Sequence, residues 1–325
     1  MRILSLLPSA TEIVAALGFE SRLVGRSHEC DFPPGVRRLP VCTAPKIDVS
    51  GRSDEIHRDI QRILAMTLSV YRVDAARLRD LSPTHVVTQV QCEVCAVSLG
   101  EVEDALEDWS TPKPRLIALS SRDLEDVFRD VERVAEALDA PERGRSLVAD
   151  LRRRMEVIAR RVREGASSCP RVAAIEWLSP LMAAGNWIPE MVAMAGGENL
   201  FGETGVHSPW LSWEDLKASD PDVMILLPCG FSLERVRAEL GLLSVLPGWE
   251  TLSAVRTGRV YLADGNQYFN RPGPRLVESL ETLGQILHPE VFAGTLEGIA
   301  WERLPVAGTR SAGSSSEQRF EGGHR

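Results

Sequence analysis

Short apolar runs and helical stripes alternate along this chain. Ile3, Leu4, Leu6 and Leu7 form a run that predicts a strand, and Ile13, Val14, Ala16 and Leu17 then recur at helical spacing until Gly18. Leu23-Val24-Gly25 predicts a second strand, followed by a polar loop from 26 to 34 that closes on Pro33-Pro34. Ile56, Ile60, Ile63 and Leu64 give residues 54–68 helical periodicity. A short helix at 74–81, a strand at 85–89, a helix at 97–109 and a strand at 115–119 follow. Alternating strands and helices predict a parallel sheet and α/β architecture.

From 122 to 164 the pattern is almost purely helical. Val127, Val131, Val134 and Leu138 form one stripe, and Leu147, Leu151, Met155, Ile158 and Val162 form another after Pro141. Proline suits a first helical turn, so Pro141 reads as the start of a second helix. At about 24 residues and 1.5 Å per residue, that helix is roughly 36 Å long. After Pro170 the α/β rhythm restarts, with strands at 171–177, 223–227 and 259–262 and helices at 188–194, 213–218, 233–240 and 274–287. The predicted organisation is an N-terminal α/β lobe (1–121), a helical segment (122–165) with a bridging helix at about 141–164, a C-terminal α/β lobe (166–290) and a disordered tail (304–325). The halves echo each other: Leu81-Ser82-Pro83-Thr84-His85-Val86-Val87 answers Ser219-Asp220-Pro221-Asp222-Val223-Met224-Ile225, a short helix running through a proline turn into a buried strand.

Composition narrows the function classes. The 325 residues carry 46 acidic and 37 basic side chains, a net charge of −9, which argues against nucleic acid as the main partner. No apolar stretch is long enough to span a bilayer. Met1–Leu7 imitates a signal peptide, but Pro8, Thr11 and Glu12 interrupt it. The expectation is a cytoplasmic chain as the sequence stands, or a periplasmic or membrane-associated one if a leader precedes it. Six cysteines fit reduced thiols better than a disulfide framework.

Two lobes on one helix leave a cleft, a favoured place for a small molecule. Its candidate lining lies in loops after strands: His28, Glu29 and Cys30; Tyr71; Gln91 and Cys92; Trp177, Trp187 and Trp210; Gln267, Tyr268, Asn270 and Arg271. Tryptophan and tyrosine in such loops offer faces for a large flat ligand. His28 is the candidate metal ligand, since imidazole is the commonest transition-metal ligand. Cys92-Glu93-Val94-Cys95 has CxxC spacing and reads as buried turn residues, as a ligand or metal contact, or as a redox pair. Ser9 or Thr11 is expected to cap the first helix, a position that also attracts anions. No nucleophile elbow, P-loop, dinucleotide fingerprint or HExxH is present, which disfavours a conventional hydrolase or nucleotide enzyme.

Several segments together resemble the substrate-binding proteins of cobalamin and iron-siderophore ABC importers, specifically their cobalamin-binding branch. They are Arg2-Ile3-Leu4-Ser5-Leu6-Leu7-Pro8-Ser9-Ala10-Thr11-Glu12, Val24-Gly25-Arg26-Ser27-His28-Glu29-Cys30-Asp31-Phe32-Pro33-Pro34, Leu81-Ser82-Pro83, Ala195-Gly196-Gly197-Glu198-Asn199-Leu200-Phe201 and Phe269-Asn270-Arg271-Pro272-Gly273-Pro274-Arg275. The resemblance covers residues 1 to about 290. It implies a class III fold, two Rossmann-like lobes bridged by one long α-helix, with little hinge motion. It also implies a non-catalytic, monomeric protein that holds cobalamin or a related corrinoid between its lobes for an ABC permease or an intracellular acceptor. Glu29, Trp177, Trp210 and the 267–271 loop would face the corrin, and Tyr71 lies near a first-lobe aromatic, after an insertion at about 44–70. Family members dock on the permease through one acidic residue per lobe. Glu214 matches in the second lobe, whereas Ala76 holds the first-lobe position and Asp74 is the substitute. The alternatives are another metal chelate, haem or a ferric siderophore, with Arg26 and Arg271 as its cations, or a thiol-metal or redox protein built on Cys92, Cys95 and His28.

Overall fold

The computed structural model describes residues 1–65, 70–90, 97, 99–106, 109 and 112–305. The first half runs β1 (Ile3–Ser5), α1 (Pro8–Ala16), β2 (Leu23–Arg26), β3 (Thr43–Pro45), α2 (Ser53–Leu64), β4 (Tyr71–Val73), α3 (Ala75–Leu81), β5 (His85–Gln89), α4 (Leu99–Ala105), β6 (Arg115–Leu119), α5 (Leu124–Ala137) and α6 (Pro141–Gly165). The second runs β7 (Arg171–Leu178), β8 (Leu181–Ala183), α7 (Ile188–Met194), β9 (Glu198–Asn199), α8 (Trp213–Ser219), β10 (Val223–Leu226), α9 (Leu233–Glu239), α10 (Gly241–Ser244), α11 (Ser253–Arg256), β11 (Val260–Ala263), α12 (Leu276–Leu287) and β12 (Trp301–Arg303).

The first lobe is a parallel sheet of order β2-β1-β5-β6. The second has the order β12-β11-β10-β7-β8, with β7, β10 and β11 parallel, β8 and β12 antiparallel at its ends, and β9 paired to β7. Strands covered on both faces need no polar side, which is why β10 reads as a plain apolar run. Successive side chains then enter different cores. Val223 and Ile225 join one apolar cluster while Met224 and Leu226 join another.

The expected bridging helix is α6, with Pro141 in its first turn and Val148, Leu151, Met155, Ile158 and Val162 buried along one stripe. The two halves do not keep separate cores. The largest apolar cluster runs from Ile3 and Ile13 of the first lobe, through Val131 of α5 and Leu151 of α6, to Ile225 and Leu283 of the second. The internal echo is borne out in detail. Asp74 caps α3 and Ser212 caps α8, each accepting the backbone N–H three residues on at 3.0 Å. Ser82 and Asp220 end these helices in the left-handed region, both at φ 41°, ahead of the prolines. Expected capping of α1 by Ser9 or Thr11 is overturned. Pro8 opens the helix with no side-chain cap, and the Thr11 hydroxyl instead lies 2.8 Å from Ser5 Oγ and 3.0 Å from Cys30 Sγ. Of the helix expected at 97–109, α4 spans Leu99–Ala105. The disordered tail expected from 304 starts too early, since Leu304 N–H donates to Val260 O at 2.9 Å and its side chain packs on the second-lobe core; residues 306–325 lie outside the described residues.

Candidate functional site

Where the lobes meet, the loop after β2 and the N-terminal half of α1 face the segment that follows β11. Arg271, only 4% exposed, sits at their junction. Its Nη1 donates to Glu12 Oε1 at 3.1 Å and to Asp31 Oδ1 at 2.6 Å, and its Nη2 donates to Asn266 Oδ1 at 3.0 Å. Arg275 forms a two-point pair with the same Glu12, Nε to Oε2 at 2.9 Å and Nη2 to Oε1 at 2.5 Å. It also donates to Gln267 Oε1 at 3.2 Å and lies over the rings of Phe32 and Tyr268. Two guanidinium groups thus balance two carboxylates. Charges this buried persist only when paired, and the bidentate Arg275–Glu12 geometry supplies the pairing. Glu12 was missed as a site residue. The available signal is an acid inside the otherwise apolar or small run from Ser9 to Val14, all of it buried.

The loop from 26 to 34 is braced from within. Arg26 Nη1 donates to the carbonyls of Ser27 and Cys30 at 3.0 Å each, and its Nη2 to that of Arg37 at 3.2 Å. His28 Nδ1 lies 2.8 Å from Thr43 Oγ1, and its ring meets Tyr71 at 5.4 Å between centroids. Burial, helped by nearby Arg26, lowers His28 from 6.5 to about 4, so its imidazole is neutral at pH 7. Burial raises Glu29 from 4.5 to about 7 against the pull of Arg271. Cys30 is fully buried, and that burial raises its thiol pKa.

In the second lobe the indole N–H of half-buried Trp177 donates to Ser179 O at 3.1 Å, and its ring meets Phe231 edge-on at 5.3 Å. Trp210 is 61% exposed and meets His57 of α2 edge-on at 5.2 Å. Three of the expected ligand contacts are engaged within the protein. Trp187 is buried in the shared core and donates its indole N–H to Phe269 O at 2.8 Å. Asn270 Nδ2 donates to Leu227 O at 3.0 Å and Gly265 O at 2.9 Å, fixing the loop's shape. Arg271 is committed to its carboxylates. Tyr268 and Gln267 stay half-buried beside Arg275.

Gln91, Cys92 and Cys95 lie outside the described residues. Among the described residues no group of three or more His, Cys, Asp or Glu is placed to hold a metal. Among the described residues His28 offers a single imidazole, held through Nδ1. Among the described residues, too, no helix is long and apolar enough to cross a membrane. Glu214 stands exposed in the first turn of α8. Asp74 occupies a different helical position: it caps α3 and lies 3.7 Å from Arg77 Nε, while exposed Ala76 takes the place equivalent to Glu214.

A profile of the family described as "Periplasmic binding protein" matches residues 3–266. The vitamin B12-binding protein of Vibrio cholerae serotype O1 is 27% identical over 286 residues, 86% of this chain and 86% of the relative. An uncharacterized ABC transporter substrate-binding lipoprotein of Bacillus subtilis, YvrC, is 21% identical over 90% of this chain and 81% of its own length. Among solved structures, the periplasmic heme-binding protein RhuT from Roseiflexus sp. RS-1 in its apo form superposes with a TM-score of 0.65 at 24% identity, covering 90% of this chain and 99% of that one.

Proposed function

The chain belongs to the periplasmic binding protein family, and from that premise we propose that it binds cobalamin or a related corrinoid between its lobes, without catalysis, for delivery to an ABC importer or an intracellular acceptor. One observation carries the choice of ligand. The two arginines that would recognise an anionic chelate are already engaged, Arg271 with Glu12 and Asp31, Arg26 with backbone carbonyls. A corrinoid rimmed with neutral amides needs no spare cation. It needs flat apolar faces and neutral polar groups, as offered by half-buried Trp177, Tyr268 and Gln267. The vitamin B12-binding names of the curated relatives support the same ligand.

Haem is the second reading, favoured by the neutral His28 imidazole lying against Tyr71, a pair able to ligate iron. Titration of the purified chain with cyanocobalamin, aquocobalamin and hemin separates the two. The corrinoid reading expects micromolar or tighter binding of cyanocobalamin. If His28 ligates cobalt, aquocobalamin alone gives a large spectral shift, which His28→Ala abolishes. Hemin binding without cobalamin binding overturns the corrinoid reading.

A further inference from the structure

The residues around α2 form an arm with unusual anchorage. Its base is the antiparallel β3–β4 pair, in which Pro45 is the register partner of Tyr71. Lys46 Nζ, just beyond, pairs with Glu101 of α4 at 2.5 Å. The arm then crosses to the other lobe. Ile56 is buried inside the second-lobe core beside Ile175 and Phe231, with Ile47 and Ile60 packed against it, while Ile60 and Ile63 also pack on the first-lobe core. One helix thus rests its beginning on one lobe and its end on the other.

Polar contacts fasten the crossing. The first backbone N–H of α2, that of Ser53, donates to both carboxylate oxygens of Glu239, at 3.2 and 3.0 Å. Glu239 is 7% exposed, so its charge rests on that helix terminus and on Arg235, 4.0 Å away. Arg235 Nη2 donates to Gly51 O at 2.7 Å, and its guanidinium lies 3.8 Å above Phe231. His57 meets Trp210.

These contacts complete a circuit. Arg271 holds Asp31; the same loop carries His28, which meets Tyr71 at the arm's base. The arm's Gly51 holds Arg235, which covers Phe231. The Phe231 carbonyl accepts Asn266 N–H at 3.1 Å, and Asn266 accepts from Arg271. Besides α6 and the shared apolar core, polar contacts of the circuit join the lobes at two places, the arginine–carboxylate cluster and the arm. The cluster is buried and doubly paired, whereas the arm's polar hold on the second lobe is the Ser53–Glu239 and Gly51–Arg235 contacts.

We propose that α2 is a strap, latched to the second lobe by Arg235 and Glu239, and that its release is the step that opens the interlobe space. The bearing on ligand exchange rests on the function proposed above; the latch itself does not. Hydrogen exchange of the intact, ligand-free chain tests the latch. Residues 54–58 exchange faster than α6 in the wild type, and Arg235→Ala/Glu239→Ala raises their exchange at least tenfold with α6 unchanged. Ser53→Pro gives the same result by a gentler route, since proline is tolerated at a first helical position and only the donated N–H is lost. Unchanged protection of α2 in both variants overturns the strap. With cyanocobalamin as probe, both variants speed uptake and release at least fivefold and leave Kd within about twofold. A loosened α2 with unchanged cyanocobalamin rates overturns the gate. Wild-type chain that does not bind cyanocobalamin counts against the corrinoid reading, while the exchange result still decides the latch.

Discussion

Glu29 and His28 are chain neighbours that burial drives toward the neutral state from opposite sides. The His28 pKa falls to about 4 and that of Glu29 rises to about 7. For Glu29 the unfolded carboxyl releases its proton near 4.5 and the folded one near 7. Between those values the folded state holds more protons, so its stability falls as pH rises through the window. Glu29→Gln removes that loss. Its stability relative to wild type is expected to improve between pH 5 and pH 8 by on the order of 2–3 kcal/mol, read from urea midpoints at each pH. A difference that is flat with pH contradicts the raised carboxyl. His28 acts in the opposite sense, losing stability as pH falls from 6.5 toward 4. Residue types in loops marked His28, Glu29 and the 267–271 segment as chemistry-bearing. They did not reveal Glu12, because its partners Arg271 and Arg275 lie 259 and 263 positions away. Nor did they separate props from contacts: Trp187 and Asn270 have ligand-like side chains, and only their bonds to Phe269, Leu227 and Gly265 show them occupied.

Helices opened by a proline were legible, and most of the shortest strands were not. Pro141 and the stripe from Leu147 to Val162 placed α6 within one residue of its end, and α7 was read at its observed bounds, Ile188–Met194. β3, β8 and β12 have three residues each and β9 has two, too few to show a period. Their existence depends on partners distant in sequence. The close crossing of α5 and α6 was also invisible, since it depends on an absent side chain. A Cβ on Gly144 would lie 2.6 Å from Ala135 Cβ and 3.3 Å from the Glu132 backbone. Gly144→Leu therefore forces the two helices apart, with an expected loss of about 2–3 kcal/mol in chemical denaturation. A loss below about 0.5 kcal/mol would mean that α5 shifts aside freely.

At the scale of the molecule, the shared core decides how the lobes behave. Ile13, Leu151 and Leu283 belong to one apolar cluster, so the interiors of the two halves are continuous. Scanning calorimetry is expected to give a single transition whose van't Hoff and calorimetric enthalpies agree. Two resolved transitions would show the lobes unfolding separately. The sequence did announce two lobes and a linking helix, because the α/β rhythm stops at 122 and restarts after Pro170. It did not announce a common interior, since periodicity identifies the buried face of a helix and not what covers it. The same holds for α2: its stripe of Ile56, Ile60 and Ile63 was plain, but its contact with the far lobe was not.

The base of that arm has an architectural consequence. Pro45 and Tyr71 face each other across an antiparallel pair, so the chain departs and returns at adjacent points. Neither β3 nor β4 belongs to the parallel sheet. The segment is therefore a cassette: a short reverse turn between Pro45 and Tyr71 would close the chain without altering the order β2-β1-β5-β6. An ancestor without the arm could have gained it, or a descendant lose it, while the rest of the fold kept its register.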